Sequence, residues 1–363
     1  MDYRKRGFTI IFFLFVMSSV FSAPTLIKDS EKKEGNIKTE IKEYIQHHLK
    51  DSHSFSLTSL TINGDHIYIE LPLPVILFDQ GLKIFSSSKL HHGDSAVNIE
   101  GNYYRLDFHS NKIYKTDSKG TIYYDENHDV TNEKPLDFSF TKNVFVIFFT
   151  ALLMLWLFIG LAKSFASNNG ISKGAGRFFE PIILYIRDEI AIPNIGEKYY
   201  NKYMSFLLTI FFFVWFLNMM GLTPLGINVT GNIAITFSLA ILTFLITNIS
   251  ANKNYWGHIF WMPGVPILMK IVLAPIELLG IFIKPFTLML RLYANMQAGH
   301  IVMMSLIGLM FVFYNWMGSS MSLVLAFFIS IIEVLVAVLQ AYIFTILSAL
   351  YFGFANEEHE EVH

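Results

Sequence analysis

Cysteine is absent from the 363-residue sequence, and neither sign of charge predominates, since the formal net charge is −2. Without cysteine the chain has no disulfides, no thiolate metal ligands and no cysteine nucleophile, even in an oxidising compartment. A net charge near zero gives no basic surface of the kind that binds nucleic acid, so we expect no nucleic-acid partner. Glycine and proline occur at average levels, which excludes collagen-like and low-complexity chains.

Charge is scarce in the C-terminal part of the chain. Residues 1–143 carry 17 basic and 19 acidic side chains, whereas residues 203–356 carry six charges in all. Because soluble domains have roughly one charged residue in four, this stretch cannot form a water-facing surface. The pattern excludes a soluble two-domain enzyme. It predicts a membrane domain over residues 141–356, followed by an acidic cytoplasmic tail over residues 357–363.

The first 23 residues have the features of a secretory signal. Three basic residues, Arg4, Lys5 and Arg6, precede a short apolar run, and small residues follow from Ser18 to Ala23. An uncleaved anchor helix is the alternative interpretation. Both interpretations place the residues that follow outside the cytoplasm.

Residues 24–140 are predicted to form a small exported α+β region. Apolar residues at helical spacing predict a helix over residues 28–50. An Asn63-Gly64-Asp65 turn signal lies between two alternating runs and predicts a hairpin. The predicted strands cover residues 59–62, 66–70, 103–108 and 121–124.

Histidine is concentrated in this exported region, which holds eight of the twelve histidines. A metal site is one hypothesis, because the set includes the pairs His47-His48 and His91-His92. However, neither an H-E-x-x-H motif nor a pair of carboxylates accompanies them, and paired surface histidines are usually solvated. We therefore predict no metal ion and no cofactor.

Three membrane spans are predicted first, over residues 144–162, 204–222 and 232–249. The first has 19 residues without a charge, about 28 Å as a helix, which is long enough to cross a bilayer. The loop over residues 163–202 contains six basic residues, whereas the loop over residues 223–231 contains none. The positive-inside rule therefore places the first loop in the cytoplasm and the second outside.

Four prolines follow in an apolar segment, and they predict a break in regular helix with a re-entrant or interfacial hairpin. They are Pro263, Pro266, Pro275 and Pro285. Two long apolar stretches come next, over residues 286–316 and 321–354, with a break predicted over residues 317–320. The predicted fold class is mainly α, a polytopic membrane protein with about five membrane helices. The last two are long and tilted, and the C-terminus is inside.

Several polar groups interrupt these last apolar stretches, where a charge at mid-bilayer costs several kcal/mol. Arg291 and Asn295 are i,i+4 neighbours, and Glu333 and Gln340 lie about 10 Å apart along one helix face. The full set is Arg291, Asn295, Gln297, His300, Glu333 and Gln340. Such a string suits an ion path better than a compact catalytic cluster, so we do not expect an enzyme.

Structural roles are the alternative for each of these residues. Arg291 could be a structural arginine paired with Glu333 or with Glu277. Glu277 and Lys284 lie near the expected cytoplasmic interface, where snorkelling is the common explanation, and they are secondary candidates for the path. Several ionisable groups on two consecutive helices nevertheless favour transport.

The run Leu290-Arg291-Leu292-Tyr293-Ala294-Asn295-Met296-Gln297-Ala298-Gly299-His300 resembles the signature of subunit a of F-type ATP synthases. Glu333, seven residues before Gln340, resembles the pattern of that family's last helix. Further matches are Asn218 to Pro224, Pro275-Ile276-Glu277 and Lys284-Pro285. The resemblance covers residues 143–354.

This resemblance implies a proton-conducting stator subunit of the bacterial inner membrane, with the N-terminal region periplasmic. Arg291 matches the arginine that faces the carboxylate of the rotating c-ring, while Asn295, His300, Glu333 and Gln340 match positions of the outer half-channel. Some members have glutamate first and histidine second, and here that pair is exchanged. The expected partners are the c-ring, subunit b of the peripheral stalk, other ATP synthase subunits and the lipid bilayer.

A proton-coupled secondary transporter is the alternative function. It would need inverted repeats with paired broken helices, but the sequence has no second copy of the Arg291 motif. A membrane scaffold without transport does not explain the buried polar series. The resemblance leaves the role of residues 24–140 open, as well as the choice between proton and sodium.

Overall fold

The chain divides into two compact units. The computed structural model describes residues 50–62, 65–93, 95–107, 110–126, 129–167, 174, 176–223, 227–262, 265–312 and 316–357. The N-terminal unit comprises Met1–Phe148, Thr223–Ile227 and Met303–Phe327, and the helical unit comprises Phe149–Leu222, Asn228–Val302 and Phe328–His363. The predicted leader over residues 1–23 and nearly all of the predicted helix over residues 28–50 lie outside the described residues.

Short antiparallel strands form three small sheets in the N-terminal unit. The strands are β1 (Ser54–Ile62), β2 (Asp65–Pro72), β3 (Pro74–Phe78), β4 (Leu82–Ser86), β5 (Val97–Ile99), β6 (Asn102–Leu106), β7 (Ile113–Thr116) and β8 (Leu136–Asp137). Their order is β1-β2, β4-β3-β8 and β5-β6-β7, and a 3₁₀ turn at Ser87–Gly93 connects β4 to β5. Alternate side chains of β3 and β4 point into a core that includes Val75, Leu77 and Phe85.

The predicted hairpin is confirmed, because β1 pairs with β2 and Ile62 lies opposite Asp65. The strand predicted over residues 103–108 coincides with β6. The strand predicted over residues 121–124 is wrong, since only an isolated bridge forms at Tyr124. Asp117 accepts from the amide of Thr121, and Asn132 accepts from that of Tyr123. These side chains therefore take the donors that a strand ladder would use.

In the described ranges after the sheets there are eight α-helices and a π-helical stretch at Ile186–Ala191. They are α1 (Lys142–Ser167), α2 (Gly176–Tyr185), α3 (Ile192–Ile195), α4 (Tyr200–Gly221), α5 (Ile233–Ile249), α6 (Lys253–Phe260), α7 (Ile267–Val312) and α8 (Trp316–Asn356). Within the described ranges, α1, α4 and α8 are each long and apolar enough to cross a membrane. The pair α5 and α6, bent by 100°, makes up to four spans.

Length and composition thus account for three or four spans among the described residues, and the five spans predicted from the sequence stay a prediction. The three predicted spans over residues 144–162, 204–222 and 232–249 coincide with α1, α4 and α5. Helix α7, with 46 residues, carries Arg291, Gln297 and His300 and is not among these spans. The described part of the chain is mainly helical and polytopic, with a small region of sheets before the first span.

The re-entrant hairpin predicted from the prolines is wrong. Helix α7 continues for 46 residues through both Pro275 and Pro285. Each proline removes one backbone hydrogen bond, and ten residues separate the two, so the helix between and beyond them keeps its own ladder. The helix instead begins directly after Pro266, whose carbonyl oxygen accepts from the amides of Met269 and Lys270.

The break predicted over residues 317–320 is also wrong, because these residues lie inside α8. The two serines among them donate their hydroxyl groups to helix carbonyls. Ser319 donates to the carbonyl of Met310 at 2.9 Å, and Ser320 donates to that of Met317 at 3.1 Å. Serine is compatible with a helix when its hydroxyl is bonded in this way.

The C-terminal end of α8 is fixed by polar and aromatic contacts in the helical unit. Tyr203 stacks on Phe352 with ring centroids 4.4 Å apart, and its hydroxyl donates to Ser250 at 2.8 Å. The side-chain amide of Asn356 donates to the same hydroxyl at 2.7 Å. A Cβ added at Gly353 would collide with the backbone carbonyl of Asn194. These contacts set the position of α8, which carries Glu333 and Gln340.

Candidate functional site

Buried polar side chains meet where α7, α8 and the end of α4 come together in the helical unit. His300 on α7 is 2% exposed and lies 2.9 Å from the carbonyl oxygen of Gly221, at the end of α4. Since a carbonyl only accepts, the Nε2 atom of His300 is the donor. The histidine predicted from the sequence is therefore held in one orientation between two helices.

Glu333 on α8 is 9% exposed, and neither of its carboxyl oxygens has a hydrogen-bond partner among the described residues. The carboxyl group lies against Gly299 of α7, where an added Cβ would come within 2.9 Å of Oε1. A larger residue at position 299 would have to displace it. Since buried polar groups are nearly always paired, a carboxyl without partners at this depth marks a functional candidate.

Gln340 lies on the same face of α8 as Glu333 and connects that face to α7. Its side-chain amide is 2% exposed and donates to the backbone carbonyl of Arg291 at 3.2 Å. Between them, the carbonyl of Ala337 accepts from Asn218 of α4 at 3.4 Å. The structure thus brings His300, Glu333 and Gln340 to the same contact region.

Three further polar residues belong to this region and were not among the predicted site residues. Asn218 is fully buried, and its Oδ1 atom accepts from the hydroxyl of Thr230 at 2.8 Å. Asn228 donates to Gln297 at 3.0 Å, which also places Gln297 beside the site. An amide within the apolar run of α4 was a signal for Asn218. Polar residues in a loop carry no such signal, so Asn228 and Thr230 were missed.

Arg291 and Asn295 face away from this buried region. Arg291 is half-buried, Asn295 is exposed, and exposed Ala294 and Ala298 continue the same side of α7. Among the described residues, Arg291 forms no ion pair with Glu333 or with Glu277, so the structural pairing considered from the sequence is wrong. Small residues on a helix allow close approach by another helix. This side of α7 therefore combines a cation with a surface suited to a neighbouring chain.

A second group of polar residues lies further toward the start of α7. Lys284 lines a cavity of about 20 Å³ together with Asn248, Tyr255 and Tyr351, which is enough space for about one water molecule. Its ammonium nitrogen lies 5.6 Å from the ring centroid of Tyr351. Glu277 acts electrostatically on Lys284, so both secondary candidates belong to this group.

Ion pairs connect ionisable groups within the described part of the N-terminal unit. His53 lies 2.9 Å from Asp137, and Lys115 lies 3.0 Å from Asp79. Burial acts to raise the pKa of Asp137, but the hydrogen bonds from His53 and Ser139 outweigh it and lower the pKa. Within the described ranges, no group of three histidine or acidic side chains is placed to hold a metal ion.

Two known families match different parts of the chain, and the boundary between the two matches lies near the start of α1. Residues 144–353 match the family described as ATP synthase A chain. Residues 44–138 match a family described as a domain of unknown function (DUF8433). The first match contains every predicted site residue and the second contains the sheets of the N-terminal unit.

Relatives with curated names agree with the first match. The chain is 43% identical over 237 residues to "ATP synthase subunit a" of Chloroherpeton thalassium, which covers 62% of this chain and 70% of the relative. It is 40% identical over 237 residues to the protein of the same name from Myxococcus xanthus, covering 63% and 77% of the two chains. A similar relative from Chlorobaculum tepidum, "ATP synthase subunit a 2", is 40% identical over 235 residues, covering 62% and 66%. The chain therefore belongs to the family of ATP synthase subunit a.

Proposed function

We propose that the buried face between α7 and α8 carries the proton transfer for which this family is known. As a member of the family, the chain is the proton-translocating stator subunit of the ATP synthase membrane sector, and a secondary transporter is not favoured. The observation that carries the proposal is the carboxyl group of Glu333, which is buried between two helices and has no hydrogen-bond partner in the part of the chain that the structure describes.

The outer half-channel, in this proposal, passes His300, Glu333 and Gln340. A carboxyl and an imidazole accept and release protons, and the buried amides beside them offer hydrogen bonds along the way. Asn218 and Gln297 are added to the path on the basis of their bonds to Ala337 and Asn228. A proton from outside then neutralises a carboxylate of the c-ring, so that this ring subunit can move into lipid.

Arg291 is proposed to face that ring carboxylate. Its guanidinium does not deprotonate at working pH, so its charge is fixed. A fixed positive charge favours the ionised carboxylate and prevents protons from leaking directly between the two channels. The exposed side of α7, with Ala294, Asn295 and Ala298, supports a close approach by the ring.

The inner half-channel is proposed to pass the cavity beside Lys284. This cavity lies two helical turns before Arg291 and has room for water. Glu277 and Lys284 are assigned to its lining as secondary residues, because one carries a charge at the cavity and the other acts on it. After nearly a full turn of the ring, the carboxyl would release its proton here.

The proposed topology has five membrane passes, with α7 as the additional one, a periplasmic N-terminal region and a cytoplasmic C-terminus. The basic loop over residues 163–202 supports a cytoplasmic position for that loop. Thr223–Ile227 and Met303–Phe327 belong to the same compact unit as the N-terminal sheets, which supports a common outer side. We keep residues 1–23 as leader or anchor, 24–140 as exported region, 141–356 as membrane domain and 357–363 as tail.

The proposed partners are the c-ring and subunit b of the peripheral stalk, in addition to the lipid bilayer. Helices α7 and α8, with 46 and 41 residues, are each longer than the hydrocarbon core, so we propose that both lie inclined in the membrane. An inclined pair offers the ring a long contact.

The proposal is tested by comparing two carboxylates in inverted vesicles that contain the whole ATP synthase. Glu333→Ala is expected to reduce ATP-driven proton pumping at least tenfold, because a proton-exchanging group is lost from a buried path. Glu277→Ala removes a carboxylate that is only a secondary residue of the proposed inner half-channel, so it is expected to reduce pumping less than Glu333→Ala. Equal rates in two assembled complexes would mean that the path runs elsewhere.

A further inference from the structure

The sheet β4-β3-β8 in the N-terminal unit has one covered face and one uncovered face. The covered face contributes Val75, Leu77 and Phe85 to the core. The uncovered face, named here the outer sheet face, presents six large apolar side chains that are 39–65% exposed: Phe78, Leu82, Ile84, Leu136, Phe138 and Phe140. The strand register makes them neighbours, since Phe78 lies opposite both Leu82 and Leu136.

Charged side chains of these three strands point to the other face. Lys83 is 5% exposed and donates to the carbonyl oxygen of Ile99. Asp137 is paired with His53 at 2.9 Å. The outer sheet face is therefore apolar across all three strands. An exposed apolar patch of this kind marks a surface that binds a membrane or another protein.

The outer sheet face is continuous with the first membrane helix. The register of β8 extends past its last paired residue, because Phe138 donates to the carbonyl of Ile76 and Phe140 donates to that of Pro74. Helix α1 begins two residues later, and its own exposed residues Val144 and Phe148 follow at helical spacing. The apolar surface thus passes from the sheet into the helix without a linker.

The start of α1 is also bonded to the sheet region, so the connection is short and fixed. The amide of Lys142 donates to the carbonyl of Ser52 at 2.8 Å. The amide of Asn143 donates to the carboxyl of Asp51 at 3.1 Å, which caps the helix. These two hydrogen bonds therefore set the position of the sheet region relative to the first turn of α1.

We propose that the outer sheet face lies on the membrane, with its aromatic and aliphatic side chains in the headgroup region of the bilayer. Helix α1 has 26 residues and is about 39 Å long, so it exceeds a hydrocarbon core of about 30 Å and its ends reach the headgroups. Phe140 is two residues from that end, which fixes the sheet at the same depth. Phenylalanine and leucine side chains gain by entering this zone, as they do in interfacial helices.

A protein partner is the competing occupant of this face. The lipid surface is favoured because the covalent link to α1 holds the face at the membrane in every copy of the chain, whether or not a partner is bound. The proposal needs α1 to enter the membrane but does not depend on the direction of crossing or on the proton path. In this proposal, the N-terminal unit lies on the membrane surface through its outer sheet face.

Because the sequence contains no cysteine, a single introduced cysteine is the only position that a thiol-reactive label can modify. The full chain is reconstituted in phosphatidylcholine–phosphatidylglycerol vesicles with an environment-sensitive fluorophore on Ile84→Cys or Phe138→Cys. Lys119 lies in an exposed loop, so Lys119→Cys is the matched control. Lipids with a nitroxide near the headgroup are expected to quench the first two labels several-fold more strongly than the control.

Three outcomes overturn the proposal. Labels at positions 84 and 138 that react fully with a water-soluble reagent in vesicles would show an uncovered face. Labels shielded from that reagent but not quenched by the lipid would show a face covered by protein. Quenching that is equal at Lys119→Cys would show no preferred face.

A second variant tests the apolar character of the face. Leu82→Asp with Leu136→Asp places two charges on exposed positions outside the core. The pair is expected to remove most of the quenching at Phe138→Cys while the protease-resistant fragment of the N-terminal unit stays unchanged. Undiminished quenching in that intact unit would contradict the proposal.

Discussion

At the scale of single residues, the polar side chains of α7 fall into two groups with different surroundings. His300 and Gln297 turn toward the protein, where Gly221 and Asn228 are their hydrogen-bond partners. Arg291 is half-buried and lies on the side of α7 that carries the exposed residues Ala294, Asn295 and Ala298. In the proposed mechanism, the proton-exchanging His300 and the arginine that meets the ring thus lie on different sides of the same helix.

Replacing Arg291 by alanine is expected to abolish ATP-driven proton pumping while the complex remains assembled. The reason is that this fixed charge is proposed to release the proton from the ring carboxylate, and the guanidinium makes no ion pair within the described residues that would support the fold. Pumping is measured in inverted vesicles, with assembly checked by subunit composition.

The matched control for this variant is Arg187→Ala. Arg187 is exposed and pairs only with the adjacent Asp188 at 2.7 Å, so pumping is expected to stay near the level of the unmodified complex. Normal pumping by Arg291→Ala would show that the assignment of the essential cation is wrong.

At the scale of elements, α8 is held against α3 and α4 over its last turns, and its middle turns carry the site. Gly353→Ala places a methyl group against the carbonyl of Asn194, which is backbone and cannot rotate away. We expect destabilisation of about 1–3 kcal/mol, the usual range for overpacking, and a lower yield of assembled subunit. Thermal unfolding of the purified complex measures the loss.

Gly160→Ala is the control for that prediction, because open space surrounds this glycine of α1. It is expected to leave the unfolding temperature unchanged or slightly higher, since alanine favours helix. A Gly353→Ala complex as stable as the control would mean that the contact with Asn194 is looser than described.

A pH dependence is expected for the sheets of the N-terminal unit. The hydrogen bonds from Tyr104 and Lys115 lower the pKa of Asp79 below its ordinary value. The hydrogen bond between Lys115 and Asp79 also raises the pKa of Lys115. The contribution of Asp79 to stability is complete above about pH 4 and is lost as pH falls through its folded pKa. That of Lys115 is complete below about pH 10 and is lost as pH rises through its folded pKa.

Hydrogen exchange of β3 and β7, corrected for the intrinsic exchange rate at each pH, measures this dependence. Asp79→Asn is expected to make these strands less protected at neutral pH and to flatten the acid limb. An unchanged acid limb in that variant would assign the effect to another group, such as Asp137.

Several elements could be predicted from the sequence because their signals are local. The hairpin of β1 and β2 follows from Asn63-Gly64 between alternating runs, and α1, α4 and α5 follow from apolar length. Glu333 and His300 stood out because a polar residue in an apolar run is costly unless it has a use. The hairpin and these helices were predicted correctly because one physical factor dominated at each of them, whereas the roles of Glu333 and His300 stay predictions.

The elements that could not be predicted depend on competition between effects. Pro275 and Pro285 each cost one backbone bond, and the surrounding ladder of α7 outweighs that cost. The strand expected near Thr121 lost its donors to Asp117 and Asn132. Asn228 belongs to the site because it donates a hydrogen bond to Gln297, and the spacing of residues in the sequence does not predict that contact.

At the scale of the whole molecule, the two family matches correspond to two regions with different chemistry, a set of small sheets and a helical membrane domain. The proposed topology places their exposed loops on opposite sides. Lys119→Cys in the sheets and Glu197→Cys between α3 and α4 both lie at exposed positions.

A membrane-impermeant thiol reagent is expected to label Lys119→Cys in right-side-out vesicles and Glu197→Cys in inverted vesicles. Each position should be protected in the opposite preparation, because the bilayer separates the two loops. Labelling of both positions from the same side would reverse the assignment of the N-terminal region or the number of passes.

The length of α8 has a geometric consequence for transport. Its 41 residues make a helix of about 62 Å. If the proposed inclination were about 40°, the upper end of the usual tilt range, its two ends would lie about 40 Å apart within the membrane plane. An ion that is admitted near one end and discharged near the other must therefore be displaced sideways as well as across. A ring turning beside the helix would carry the ion through that lateral step.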